Sequence, residues 1–539
     1  MYDVLIRKGR IIDGTGNPWF KADVAVNKGR IAAIDNLSSD SADVIFDVKD
    51  MVVCSGFIDM HSHSDFTLLV NPLAESKIRQ GVTTEVVGNC GVSAAPLNDL
   101  LKEDILKTTP LLEEAKLGLT WATMGQYLNL MEDKGVALNV ASLVGNSNVR
   151  VSVLGFESRH PIEGELEEMK KVLAQAMKDG AFGMSTGLIY PPSCYADTDE
   201  LVALAKVVSE FGGVYTSHIR GEGFNLINAV KEAIEIGETA NLPVEISHHK
   251  ASGRANWGKV KQTLQMMEEA REHGIDITCD VYPYIAGSTG LDALLPPTFY
   301  EGGVEKLIER LRVPETRTKI KEVMKRTSEE GGPETLGLPE WGSIMISYCK
   351  GHPDLEGKTI EDIAKEKRID PFEFVFDLLI EEKASVSIVL FIMKEEDMRQ
   401  VLSHHLSMVG SDSSARAPYG VLEKGKPHPR TYGTFPRILG RYVREEGILS
   451  LGNALRKMTS LPAQKLRLKD RGLIREGMRA DIVVLDPKRI SDQATYQEPH
   501  QYPNGIEYVF VNGKLVIEQG EHTEALAGHV LRLRGHNRI

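Results

Sequence analysis

Eight short apolar runs, separated by stretches with helical periodicity, constrain the fold of this chain more than any other feature. They fall at residues 56–61, 84–88, 139–144, 182–185, 214–218, 244–248, 275–281 and 408–412. Runs of this length suit strands and are too short for core helices. Helical spacing of apolar residues appears between several of them, at 165–178, 200–210 and 257–273. Strands alternating with helices pair in parallel, because each helix carries the chain back to the start of the next strand. Eight such units predict an α/β fold, a (β/α)8 TIM barrel rather than an open sheet.

Two regions do not fit that rhythm. Residues 291–344 carry Pro296-Pro297, Gly302-Gly303 and Gly331-Gly332-Pro333, and read as an insertion near the barrel mouth. Residues 385–393 are one more strand-like run, with no place in the scheme. Both chain ends read as short strands. At one end these are 3–9, 22–26 and 30–34, with a turn at Asn27-Lys28-Gly29; at the other they are 480–486 and 506–516. Such ends can share one small sheet domain if they meet. The expected organisation is therefore a small domain from 1–55 and 466–539 and a barrel from 56–465.

Composition excludes some partners. A formal net charge of -13 argues against a nucleic-acid surface, which would need a basic patch to displace condensed counterions. Five cysteines are few and odd in number for 539 residues, which suits a reducing compartment better than a disulfide framework. Met1 to Ile6 leads straight into charged residues without the pattern of a secretory signal. The longest apolar stretches, such as 388–393, fall far short of a membrane span. The expectation is a cytoplasmic protein without a membrane partner.

Chemistry is concentrated where the runs end, the positions at which barrel enzymes place their reactive groups. His61 and His63 close the first run as His-x-His, and strand alternation lets both face one ion. Alone, the pair reads equally well as polar residues at a strand end. Cys90 follows the second run between Asn89 and Gly91, either as a small buried hydrophobe or as a thiolate on a tight loop. His218 ends the fifth run. His248 and His249 end the sixth, and alternation puts His248 on the face shared with Lys250 while His249 points toward the helices. Asp412 ends the eighth. Imidazole and thiolate together suit zinc with a position left open for water. A carboxylate beside that water takes its proton and returns it to a leaving amine.

With these residues in place the sequence resembles the amidohydrolase superfamily, whose strand-end pattern matches His61, His63, His218, His248 and Asp412. More narrowly it resembles the N-acyl-D-amino-acid deacylases (D-aminoacylases). The matching segments are His61-Ser62-His63-Ser64-Asp65, Gly88-Asn89-Cys90-Gly91, Ser217-His218-Ile219-Arg220, Ser247-His248-His249-Lys250 and Asp280-Val281-Tyr282-Pro283-Tyr284, then Pro427-His428-Pro429-Arg430 and Gly433-Thr434-Phe435-Pro436-Arg437. The resemblance spans nearly the whole chain. It implies a barrel carrying a small β-sandwich built from both ends, with a lid-like insertion. It also implies one tight zinc site at Cys90, His218 and His248, and a second, weaker metal position at His61 and His63 bridged by Cys90. The fourth strand, Phe182-Gly183-Met184-Ser185-Thr186-Gly187, has no lysine to bridge two metals, which favours the cysteine type of site.

The implied reaction is hydrolysis of a small N-acyl-D-amino acid to a carboxylic acid and a free D-amino acid, with Asp412 as general base and then acid. Tyr190 reads either as an oxyanion donor or as a packed aromatic. A free α-carboxylate needs a cationic clamp, and Arg430 suits it because guanidinium meets carboxylate through two parallel hydrogen bonds. The resemblance adds Lys250, Tyr282 and Ser288 to the substrate pocket. The stretch between Asp412 and Arg430 is longer than the family pattern, so Arg416 is a second candidate for the clamp. Two rivals are a cyclic-amide hydrolase of the hydantoinase or dihydroorotase kind and a non-catalytic scaffold of the same fold. The missing lysine argues against the first, and the complete set of metal residues against the second.

Overall fold

The structure is a computed structural model that describes residues 1–330 and 340–533. Gly331-Gly332-Pro333 and the last six positions of the expected terminal domain lie outside the described residues. The eight apolar runs are eight strands: β1 (Phe57–Asp59), β2 (Val82–Val87), β3 (Asn139–Ser142, continued by Val144–Gly145), β4 (Gly183–Gly187), β5 (Val214–His218), β6 (Val244–Ile246), β7 (Ile277–Val281) and β8 (Ser407–Val409). Every neighbouring pair from β1 to β8 is parallel. The first and last strands are also neighbours. Met60 N donates to Val409 O at 3.2 Å and Asp412 N donates to His61 O at 2.8 Å, with a parallel bridge between Ser62 and Ser413 just beyond.

All residues of β2, β4, β5 and β7 are buried, which is why these strands read as continuous runs rather than as an alternation. Helices cover their outer side. Thr198–Glu210 starts at Asp197, whose carboxylate accepts from Glu200 N at 2.8 Å, and it buries Leu201, Leu204, Ala205 and Val208. That spacing is the apolar stripe of a helix lying on a sheet.

The two chain ends share one nine-stranded sheet. The join is antiparallel, Val52–Ser55 against Ile482–Leu485, and Val24, Val53, Val484 and Phe510 pack in its core. The expected turn is a two-residue hairpin, with Lys28 at φ 50° and Gly29 at φ 73°. The extra strand-like run is Val386–Leu390. It pairs on both sides, with Gly287–Gly290 and with Ile344–Cys349, in a small antiparallel sheet with its own apolar core. The unit that interrupts the βα rhythm therefore reaches past the 291–344 interval at both ends. Its partners are distant in sequence, and no local pattern could have paired them. Among the described residues no helix is long and apolar enough to cross a membrane.

Candidate metal centre and its cavity

The ends of the parallel strands open onto one cavity of about 390 Å³. His63, Cys90, Tyr190, His218, His248, Lys250, Tyr282, Ser288, Asp412 and Arg430 all line it, and Arg416 does so too. His61 is fully buried directly behind the wall. Residues spread from position 61 to position 430 thus converge on one place.

The loops that deliver the reactive groups are strained. Cys90, His248 and Asp412 hold φ values of 52°, 35° and 49°, the left-handed region that costs a non-glycine residue about 1–3 kcal/mol. At the sixth strand this kink turns His248 into the cavity. His249 faces the other way, with Nε2 2.7 Å from Thr263 Oγ1 on helix Val260–Glu272. Gly88, before Cys90, has φ 80°, and a Cβ there would sit 2.4 Å from the Leu143 carbonyl oxygen. Only glycine lets the loop pass so close.

Cys90 Sγ lies 3.2 Å from His61 Nε2 and 3.5 Å from His248 Nε2. One ligand atom from each of His61, Cys90, His248 and Asp412 falls within a single 4.8 Å cluster. A second cluster joins His218, Glu222 and His248. His248 belongs to both groups, its ring 4.4 Å from that of His218, and His218 also reaches the Cys90 thiol and helps to hold it down. Both ring nitrogens of the buried His218 lack a hydrogen bond among the described residues. A buried imidazole with nothing to bond is costly, and a metal ion is the partner that this donor set fits. Burial works against a Cys90 thiolate, yet His61 and His248 beside it hold the thiol well below its ordinary value. A thiolate among imidazoles is a zinc-type donor set.

The far side of the rings is also fixed. His61 Nδ1 donates to Asp280 Oδ2 at 3.2 Å, leaving Nε2 to face Cys90. His248 Nδ1 lies 2.8 Å from Lys250 Nζ and 3.1 Å from Glu222 Oε1, and that oxygen is 2.5 Å from the same Nζ. Partners in this position set the orientation of ligating histidines. Lys77 is fully buried below, 2.8 Å from Asp59 and 2.9 Å from Glu85, and it donates to Ser411 Oγ at 2.7 Å. Asp59 also accepts from Ser411 N at 2.8 Å, so this network grips the residue before Asp412. Sequence reasoning missed Glu222, Asp280 and Lys77 as supports. The one available signal was a charged residue inside or beside an apolar run.

Asp412 Oδ1 lies 3.0 Å from His63 Nε2, and Asp412 Oδ2 lies 2.9 Å from Arg430 Nη1. Burial pushes this carboxyl up, but the Arg430 charge, the His248 ring and the His63 hydrogen bond hold it well below the usual carboxylate range. The Arg430 contact is an ion pair without hydrogen-bond geometry, since Nη1 and Nε make no hydrogen bond. Tyr282 is covered by Arg430, whose Cζ is 4.5 Å from the ring centroid. Tyr190 Oη is 3.0 Å from Thr289 Oγ1, and its ring meets His218 edge-on at 5.1 Å. Ser288 Oγ donates to Ile388 O at 2.9 Å, so this hydroxyl is engaged by the antiparallel sheet.

The geometry is that of a metal-dependent hydrolase: parallel strands, a buried thiolate–imidazole cluster and a carboxylate facing the same cavity. The family comparison agrees. The amidohydrolase family matches residues 44–517, and the chain belongs to that family. A D-aminoacylase of Alcaligenes xylosoxydans xylosoxydans is 34% identical over 530 residues, covering 98% of this chain and 97% of that protein. The solved N-acyl-D-glutamate deacylase of Bordetella bronchiseptica, complexed with zinc and a phosphonate that mimics the tetrahedral intermediate, is 34% identical with a TM-score of 0.82, covering 98% and 99% of the two chains. A solved D-aminoacylase described by its binuclear metal centre is 35% identical with a TM-score of 0.83, covering 99% and 100%. The chain is thus a mixed α/β protein with parallel-strand sheets, similar to D-aminoacylase structures.

Proposed function

We propose that this protein hydrolyses the amide bond of N-acyl-D-amino acids, releasing a carboxylic acid and a free D-amino acid. Zinc is its metal, held by Cys90, His218 and His248, with a weaker second position at His61 and His63 that Cys90 bridges. The observation that carries the reading is the buried Cys90–His61–His248–Asp412 cluster beside a His218 ring whose two nitrogens make no hydrogen bond among the described residues. Similarity to deacylases over nearly the full chain supports it. When bound, the ion supplies a Lewis acid and a water with a pKa near 7.

The chain's own residues do the rest. Asp412 takes the proton of the attacking water and delivers it to the departing nitrogen. His63 and Arg430 hold that carboxylate ionised, ready to accept. Arg430 offers its unpaired Nε to the substrate α-carboxylate while Nη1 stays beside Asp412, with Tyr282 stacked beneath. Tyr190 directs its hydroxyl at the oxyanion; one such donor typically contributes about 3–4 kcal/mol. Lys250 and Ser288 line the same pocket, with Lys250 tied to Glu222.

Around the site we infer a (β/α)8 barrel over residues 56–465. A small β-sandwich from 1–55 and 466–539 flanks it, and the antiparallel unit is inserted near the mouth. The parallel pairings and the shared terminal sheet support this division. The five cysteines are free, which supports a reducing, cytoplasmic setting.

A panel of N-acetyl D- and L-amino acids with hydantoin as control, run beside zinc analysis, tests the reading. Turnover of the D-series by zinc-loaded enzyme is expected. Turnover of hydantoin alone would move the protein to the cyclic amides, and no zinc with no turnover would make it a scaffold.

A further inference from the structure

The middle of β6 carries a carboxyl that neither the metal centre nor the substrate clamp uses. Glu245 is 1% exposed, and no donor among the described residues reaches either of its oxygens. Parallel register sets Thr216 of β5 and Thr278 of β7 on either side of it. Both hydroxyls are buried and also make no hydrogen bond among the described residues. Side chains alternate along a strand, so this level lies directly beneath His218, two residues beyond Thr216, and Asp280, two beyond Thr278.

The lysine whose charge reaches Glu245 is engaged elsewhere. Lys465 Nζ donates to Val244 O at 3.0 Å, to Asp276 O at 2.9 Å and to Asp276 Oδ1 at 3.0 Å, which takes up the three protons of an ammonium. The group that Glu245 does meet, within hydrogen-bonding distance, is the Asp280 carboxyl. Asp280 already accepts twice, from His61 Nδ1 at 3.2 Å and from His248 N at 2.9 Å. Two carboxyls that touch in a dry interior do not both ionise, and the proton stays on the one with no other donor. Burial and the Asp280 charge push the Glu245 carboxyl well above the ordinary range. A carboxyl that keeps its proton has an O–H to give.

We propose that Glu245 is a positioning residue of the metal centre, a neutral carboxyl that donates its O–H to Asp280 and so fixes the group that orients the His61 ring and the His248 backbone. The role rests on the metal reading above and acts through Asp280, without contact to substrate.

Two measurements on the zinc-loaded full chain test it. At about pH 8, where ordinary carboxyls are ionised, the infrared difference between wild type and Glu245→Gln should show the carbonyl stretch of a protonated carboxyl in wild type alone. Zinc affinity is then read by competition with a chelator. Glu245→Gln keeps an N–H donor at the same place and should stay within about threefold of wild type, whereas Glu245→Met fills a similar volume without a donor and should lose about ten- to a hundredfold, the cost of removing a partner from behind metal ligands.

Absence of the infrared band with zinc bound overturns the proposal, since an ionised Glu245 has no proton to give, and that result stands whether or not Glu245→Met folds. An equal loss of affinity in both variants overturns it as well, and so does wild-type affinity in Glu245→Met. A wild-type chain that binds no zinc overturns the metal reading itself, and the positioning role with it.

Discussion

Asp412 has His63 on one carboxylate oxygen and Arg430 on the other, and its role separates cleanly from that of Cys90. Asp412→Asn keeps the thiolate and the imidazoles but removes the proton carrier. The variant should retain zinc and lose turnover by about 10³-fold or more; near-normal kcat with zinc bound would remove Asp412 from the reaction. Cys90→Ala should instead lower the zinc content itself, read by metal analysis of the purified protein. His249 offers a test of the opposite kind, on stability. Burial, reinforced by the Lys250 charge, holds its imidazole down to about 4, against an ordinary value of 6.5. Between those pH values the unfolded chain takes a proton that folded His249 refuses, so this residue makes stability fall as pH drops from 6.5 to 4. The full effect is about 3 kcal/mol. His249→Gln should flatten that part of the urea-midpoint profile relative to wild type; parallel profiles would mean that the folded imidazole protonates freely.

The elements deliver these residues by leaving regular structure at their carboxyl ends. Strand β8 stops at Val409, and Asp412 follows in a left-handed kink. After β2, the chain turns at Gly88 to present Cys90. Gly88→Ala should therefore do more than cost the roughly 1 kcal/mol of a misplaced φ. Its Cβ would press on the Leu143 carbonyl and push the loop off its path, so both zinc content and Tm are expected to fall. A variant with normal zinc content would show that the loop yields without moving the thiol. The strands themselves were legible because both of their faces are buried, which leaves an apolar run in the sequence. The helices at 165–178 and 200–210 were legible from periodicity, and the structure extends them to Glu163–Asp179 and Thr198–Glu210. Pairing in the antiparallel unit was not legible, since Val386–Leu390 joins segments about 40 and 100 positions upstream.

At the scale of the whole molecule, Asn139 on β3 ties the barrel-side strands to the chain-end part, next to a parallel bridge between Val140 and Val530. Asn139 Nδ2 donates to Thr83 O at 2.8 Å and to Asp481 Oδ2 at 3.2 Å. Its Oδ1 accepts from Asn512 Nδ2 at 2.8 Å and from His529 N at 3.0 Å. Asn139→Leu would leave several of these buried groups unpaired, at roughly 1–3 kcal/mol each. The expected result is a Tm loss of several degrees with kcat of the folded fraction little changed; an unchanged Tm would mean that the two parts do not depend on this tie.

The sequence by itself determined the parallel α/β framework and the reactive groups at its strand ends, because burial and alternation are local properties that each segment carries alone. It also placed His248 and His249 on opposite sides. It could not decide how the groups pair. Glu222 with His248 and Lys250, Asp280 with His61, Lys77 with Asp59 and Glu85, and Arg430 with Asp412 are contacts between different elements of the chain. Their energies come from charge held a few ångströms away in a dry interior, and only tertiary structure sets those distances. The same holds for Arg416, which in sequence was one more candidate for the α-carboxylate clamp.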